Sequence, residues 1–192
     1  MTTMKQTIAR AVRVMLLSPV IACLALIPMA FAPDVISDPM QIVVATICLA
    51  LLPLLSYPLW YVIPPLRSKG RDGQRTLAMI FSVVGYVLLF VLSLCLRYPA
   101  KLQTFALTYL LSGATLLVCR LFDLRPSGHC CGVCGPIVYL ATFVSPWYAF
   151  ALVLVAAVIW SSLALQRHTL LQCLTGSVIS PLALVVSSLI LL

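Results

Sequence analysis

Residues 129–168 read His129-CCGVCGPIVYLATFVSPWYAFALVLVAAVIWSSLALQR-His168, and positions 130–166 of that stretch carry no charged side chain. As helix, those 37 residues would extend about 55 Å at 1.5 Å per residue, enough for two slightly short crossings of a bilayer core. Ser145-Pro146-Trp147 is the only break inside the stretch, so the chain turns there and returns to its starting face. The sequence's only two histidines are then expected at one membrane surface.

Working outward, the rest of the chain has the same character. Of 192 residues, 63% are hydrophobic and 8% charged, where a soluble domain carries roughly a quarter charged residues. A water-soluble globule is excluded. Twelve Lys and Arg stand against four acidic residues, giving +8, yet no long polar surface exists to carry a nucleic-acid-binding patch. Basic residues flanking apolar runs belong to a membrane protein. Eight cysteines would suggest a disulfide scaffold in a small secreted domain. Here most lie within apolar runs and read as small packing residues.

Runs long enough to span, or nearly so, fall at 14–32, 41–63, 77–96, 102–121, 130–145, 147–165 and 169–191. The expected fold is therefore all-α, a polytopic transmembrane helix bundle. Residues 1–40 form an N-terminal unit, a transmembrane helix or signal-like segment with an outer loop, and 41–192 form the main membrane-embedded helical domain. Lys5, Arg10 and Arg13 ahead of an apolar core that ends Ala30-Phe31-Ala32 resemble a signal peptide, and Val20-Ile21-Ala22-Cys23 resembles a lipoprotein cleavage box. Pro33 directly after the would-be cut, and a core long enough to span, favour a retained helix.

Orientation follows from the basic residues. With the N-terminus in the cytoplasm, Lys5, Arg10, Arg13, Arg67, Lys69, Arg71, Arg75, Arg120, Arg125 and Arg167 fall inside, and only Arg97 and Lys101 fall outside. Setting aside the arginines that could serve a site leaves the same sign, so the histidine face is expected to be cytoplasmic, in a prokaryotic inner membrane.

Each histidine has an arginine nearby, Arg125 before His129 and Arg167 beside His168. Ionisable groups at membrane spans are functional candidates. Pro126-Ser127 suits a helix start, and Thr169-Leu170-Leu171-Gln172 has the spacing of a capping box. Both histidines would then stand where unpaired backbone N–H groups gather, a natural anion site, and guanidinium groups alongside favour phosphate. His129-Cys130-Cys131 with Cys134 could be read as zinc ligands, but four residues so spaced on one helix cannot all face one metal. Gly128, Gly132 and Gly135 read instead as a small-residue face for close helix approach.

Arg125-Pro126-Ser127-Gly128-His129 resembles the Pro-Ser-Gly-His signature of the type 2 phosphatidic acid phosphatase superfamily, which includes the vanadium haloperoxidases. That family's third motif is Ser-Arg, five residues, His, three residues, Asp, with a glycine four positions on. The same spacing here gives Ser161-Ser162, His168, Gln172 and Gly176, so the arginine is Ser162 and the aspartate Gln172. The lysine of the first motif is absent. His-Thr, two residues, Gln resembles divergent bacterial and archaeal members, as does the basic Arg71-Asp72-Gly73-Gln74-Arg75 loop.

The resemblance implies a six-helix core preceded by one extra helix, and a metal-independent phosphatase acting on a lipid phosphate or isoprenoid (di)phosphate through a phosphohistidine intermediate. It casts His168 as nucleophile, His129 as general acid and Gln172 as the orienting residue. Arg125, Ser127, Gly128, Arg167, Arg120, Arg75 and Arg71 would bind phosphate. No metal or cofactor is implied, and the expected partners are the substrate and membrane lipids, with no nucleic acid. Ser162 and Gln172 favour an alternative, a catalytically impaired relative that binds or transports lipid phosphate. A small anion channel is disfavoured because the charges lie at helix ends rather than mid-span.

Overall fold

The computed structural model describes residues 2–68 and 70–192, with the side chains of Thr2, Leu66 and Arg71 left out. Lys69, one of the charges counted for orientation, lies outside these residues. The described chain is helical, with no strand. Its helices are α1 (Thr2–Met15), α2 (Ser18–Met29), α3 (Pro39–Val62), α4 (Gly70–Cys95), α5 (Ala100–Leu121), α6 (Gly128–Phe143), α7 (Pro146–Ala164) and α8 (Leu170–Leu191). A single turn, Pro64–Arg67, links α3 to α4.

Five of these, α3, α4, α5, α7 and α8, are long and apolar enough to cross a membrane. Val84, Val91, Val178, Leu182 and Leu189 point outward and exposed, which a water-soluble bundle would not tolerate over so much of its surface. The chain is a polytopic helix bundle and an integral membrane protein. α6 has 16 residues, about 24 Å, and falls short of a full crossing by itself.

Two boundaries differ from the sequence expectation. The run 14–32 is not one helix: α1 and α2 meet at a 49° bend. Pro19 sits in the first turn of α2, where its missing N–H and its ring, which would meet the carbonyl four residues back, stop α1 from running on, and Leu17 takes the extended ψ of 137° at the break. The Arg71–Arg75 segment, expected as a loop, is the opening of α4, which begins at Gly70 with φ +55°; Asp72 in that first turn complements the helix dipole.

α3 carries a π-turn at Ile47–Leu51, where Leu52 N–H bonds to Ile47 O. In that register the next acceptor, Cys48 O, faces Pro53, which has no N–H to give. α4 comes in closely there: a Cβ on Gly85 would stand 2.1 Å from Cys48 O, so only glycine allows the two backbones to meet.

The core runs through α2, α3, α5, α6 and α8, with Leu26, Met29, Leu49, Leu102, Phe105, Tyr139 and Leu184 buried together. Tyr86, Tyr109, Phe105, Tyr139 and Phe143 form a chain of ring contacts with centroids 4.6–5.2 Å apart, a spacing favourable for tilted aromatic pairs. At one end of the bundle Lys101 pairs with Asp34, and Tyr139 donates to Lys101 O at 2.8 Å. The charged cavity described next lies at the other end of α5. Cys130, Cys134 and Cys173 pack with Ile21, Val155 and Val158, and all eight cysteines are free thiols.

Candidate functional site

Two helix starts build the site. Ser127 caps α6, its Oγ accepting from Cys130 N–H at 3.3 Å. Thr169 caps α8 through a complete capping box with Gln172. The two starts are joined directly: Ser127 N–H donates to Gln172 O at 2.7 Å. This close approach requires Gly176, since a Cβ there would lie 2.3 Å from Ser127 O. Gly176 therefore serves as a packing contact between the starts of α6 and α8.

His168 stands in the turn between α7 and α8. α7 ends with Gln166 in the left-handed region, φ +51°, and Arg167 N–H returns to Ser162 O at 2.9 Å, a Schellman-type closure made without glycine. Arg167 and His168 form a bend that leads to the extended Thr169 cap of α8. His168 Nδ1 lies 3.2 Å from Gln172 Oε1. That same oxygen accepts Thr169 N–H at 3.2 Å, which fixes the amide with its oxygen toward both groups. Because Oε1 only accepts, Nδ1 carries the ring proton and Nε2 keeps its lone pair. Gln172 is thus both part of the capping box and the hydrogen-bond partner of His168 Nδ1.

His168 and His129 line one cavity of about 420 Å³ together with Arg13, Arg75, Arg120 and Arg125. Among the described residues Asp72 and Asp123 are its only acids, so the four arginines and two aspartates give the described wall a net charge of about +2 with neutral imidazoles. His129 Nε2 is buried and has no hydrogen-bond partner among the described residues. Burial holds the His168 pKa below the usual imidazole range, Arg75 and Arg13 push it the same way, and the bond to Gln172 opposes them.

The expected phosphate ligands divide. Gly128, Arg75, Arg120 and Arg125 line the cavity. Arg120 is steadied by Thr76, donating to its Oγ1 at 3.0 Å, and Arg125 pairs with Asp123 at 3.3 Å. Ser127 is fully buried beneath the cavity rather than in its wall. Arg167 is close enough to repel Arg13 but is not in the wall. The Arg71 side chain lies outside the described residues.

One residue in the wall was read from sequence only as a topological charge: Arg13 of α1. Its Nη1 donates to Ser162 Oγ at 3.2 Å. The one sequence signal for it was helical spacing from Ala9, which is fully buried one turn earlier.

A second, more apolar groove of about 230 Å³ opens between α2, α3 and α4, lined by Leu17, Pro19, Pro53, Tyr57 and Val83 among others. It shares Ala78, Met79, Leu116, Gly128 and His129 with the charged cavity, so the two adjoin across those residues.

Comparison of the chain with family models, with characterised proteins and with solved structures finds no match. The fold and site define a class, an integral membrane helix bundle with a basic, histidine-bearing cavity at one end.

Proposed function

We propose that this protein is a membrane-embedded, metal-independent phosphatase of lipid phosphates or isoprenoid (di)phosphates, and a divergent member of the type 2 phosphatidic acid phosphatase superfamily. The observation that carries the reading is His168, held through Nδ1 by Gln172, in a cavity walled by His129 and four arginines. In this reading the phosphoryl group lies among the guanidinium groups and the apolar tail lies in the groove between α2, α3 and α4.

The chemistry runs in two displacements. His168 Nε2 attacks phosphorus as the bond to the substrate's bridging oxygen breaks, and His129, whose burial beside Arg13 disfavours the charged ring until the phosphoryl anion binds and brings a proton with it, gives that proton to the departing oxygen. Water then attacks the phosphohistidine, with His129 taking a proton from it. The P–N bond breaks, phosphate leaves, and the His168 imidazole is regenerated. The arginines stabilise the equatorial oxygens as charge redistributes.

The test is phosphate release from a panel of lipid phosphates by purified protein without divalent metal. Turnover that disappears in His168→Ala and His129→Ala supports the reading. One feature favours the second reading, a lipid-phosphate binding protein: the neutral Gln172 beside His168 supplies no negative charge to stabilise an imidazolium. Lipid binding with no turnover would select it.

A further inference from the structure

We infer that Arg13 is a phosphate ligand of this cavity, delivered by α1 and occupying the place that an arginine side chain at position 162 would fill. This rests on the reading above only for the identity of the anion. Arg13 belongs to the N-terminal helix, outside the 41–192 domain that holds every other residue of the cavity wall.

Three observations converge on it. First, Arg13 Nη1 is anchored on Ser162 Oγ, whose residue is fully buried in α7 and accepts at its carbonyl the N–H that closes the turn before His168. One of the five guanidinium donors is engaged there, and the fork remains able to meet an oxyanion in two-pronged fashion.

Second, the electrostatics oppose the placement unless an anion is present. Arg75 and Arg167 both repel the Arg13 guanidinium, and arginines outnumber acids in the wall. A half-buried cation held against like charges is unfavourable by itself, and a phosphoryl group bound between them reverses the sign.

Third, α1 is built to hold the side chain there. At 3.6 residues per turn, Ala9 and Arg13 share one face, with Met4, Ile8 and Met15 on the roughly opposite one. Ala9 is fully buried, whereas Met4 is 72% and Met15 70% exposed. α1 docks its Ala9–Arg13 face on α7 and leaves an apolar face of the kind that lies in a membrane interface.

The test uses the full chain in detergent and inorganic phosphate as probe, with binding read from the phosphate-dependent rise in melting temperature. Arg13→Gln should weaken phosphate binding about ten- to a hundredfold, the range expected for losing a charged hydrogen-bonding partner. Arg13→Lys should lose less, and Arg10→Gln, on the same helix but outside the cavity, should bind as the wild type does.

The decisive variant is the swap Arg13→Gln with Ser162→Arg, which should recover most of the lost affinity. Wild-type phosphate affinity in Arg13→Gln, a swap no better than Arg13→Gln alone, or no phosphate binding by the wild type would each overturn the assignment. Turnover is scored separately. His168→Ala should still bind phosphate, and Arg13-dependent binding without turnover of any lipid phosphate would sink the phosphatase reading while supporting the role of Arg13. If Arg13→Gln does not fold, Arg13→Lys and the swap carry the comparison.

Discussion

Ser127 N–H donates a 2.7 Å hydrogen bond to the carbonyl of Gln172, joining the start of α6 to the first turn of α8. That bond ties the loop that presents His129 directly to the first turn of the helix that follows His168. The two histidines are 39 positions apart in sequence, by subtraction of their numbers, and the joint brings their helix starts together.

Gly176→Ala should break that joint. The added methyl would meet Ser127 backbone atoms at 2.3–3.0 Å, and backbone gives way less readily than a side chain. The expected cost is about 1–3 kcal/mol from overpacking, seen as a lower melting temperature, together with loss of phosphate release. A variant with wild-type stability and turnover would show that the motif joint has no role.

Gln172→Glu tests the orienting contact with an isosteric carboxylate. It keeps an oxygen facing both His168 Nδ1 and Thr169 N–H, adds negative charge at the start of α8 where the dipole favours it, and stabilises an imidazolium. Turnover should be unchanged or higher. Gln172→Ala, which removes the acceptor and the cap together, should lower kcat and cost about 1 kcal/mol of stability. A collapse of activity in the folded glutamate variant would remove Gln172 from the orienting role.

The acid limb of the pH–rate profile should lie below the ordinary imidazole pKa of about 6.5. Burial, and after it Arg75 and Arg13, lower the His168 pKa, and attack requires the unprotonated ring. Protonation as pH falls through that lowered value removes the nucleophile. Arg75→Gln takes away a repelling cation and should move the limb to higher pH, and Gln172→Glu should move it the same way. A limb that stays put in both variants would mean that another group controls it.

The side of the membrane is tested by cysteine labelling. Asp34 and Ser68 are both exposed, and the charge asymmetry of the loops predicts that Asp34→Cys reacts with an impermeant reagent in intact cells while Ser68→Cys is protected. All eight native cysteines are free, so the measurement is made against the unsubstituted protein. The reverse pattern would turn the cavity outward.

Much of the architecture was legible in sequence because it depends on one-dimensional quantities. Apolar run length fixes α5 and α8 nearly to the residue. The Ser127 and Thr169 caps were readable because a hydroxyl three residues before a free N–H is a local relation. Element ends were less legible where polar residues continue a helix past the apolar run, as in α4, and where Pro19 divides a run that composition alone reads as continuous.

Hydropathy and loop charge, summed along the chain, determined that this is a membrane helix bundle with its histidines at one end. They could do so because water and lipid sort each segment independently of its partners. Which guanidinium groups share the cavity was decided only by tertiary packing. Arg13 reaches Ser162 across 149 positions, and Ser127 is drawn beneath the wall while Arg120 enters it. Such contacts depend on the angle at which helices cross and on two glycines that let backbones meet, and neither is a property of any one segment.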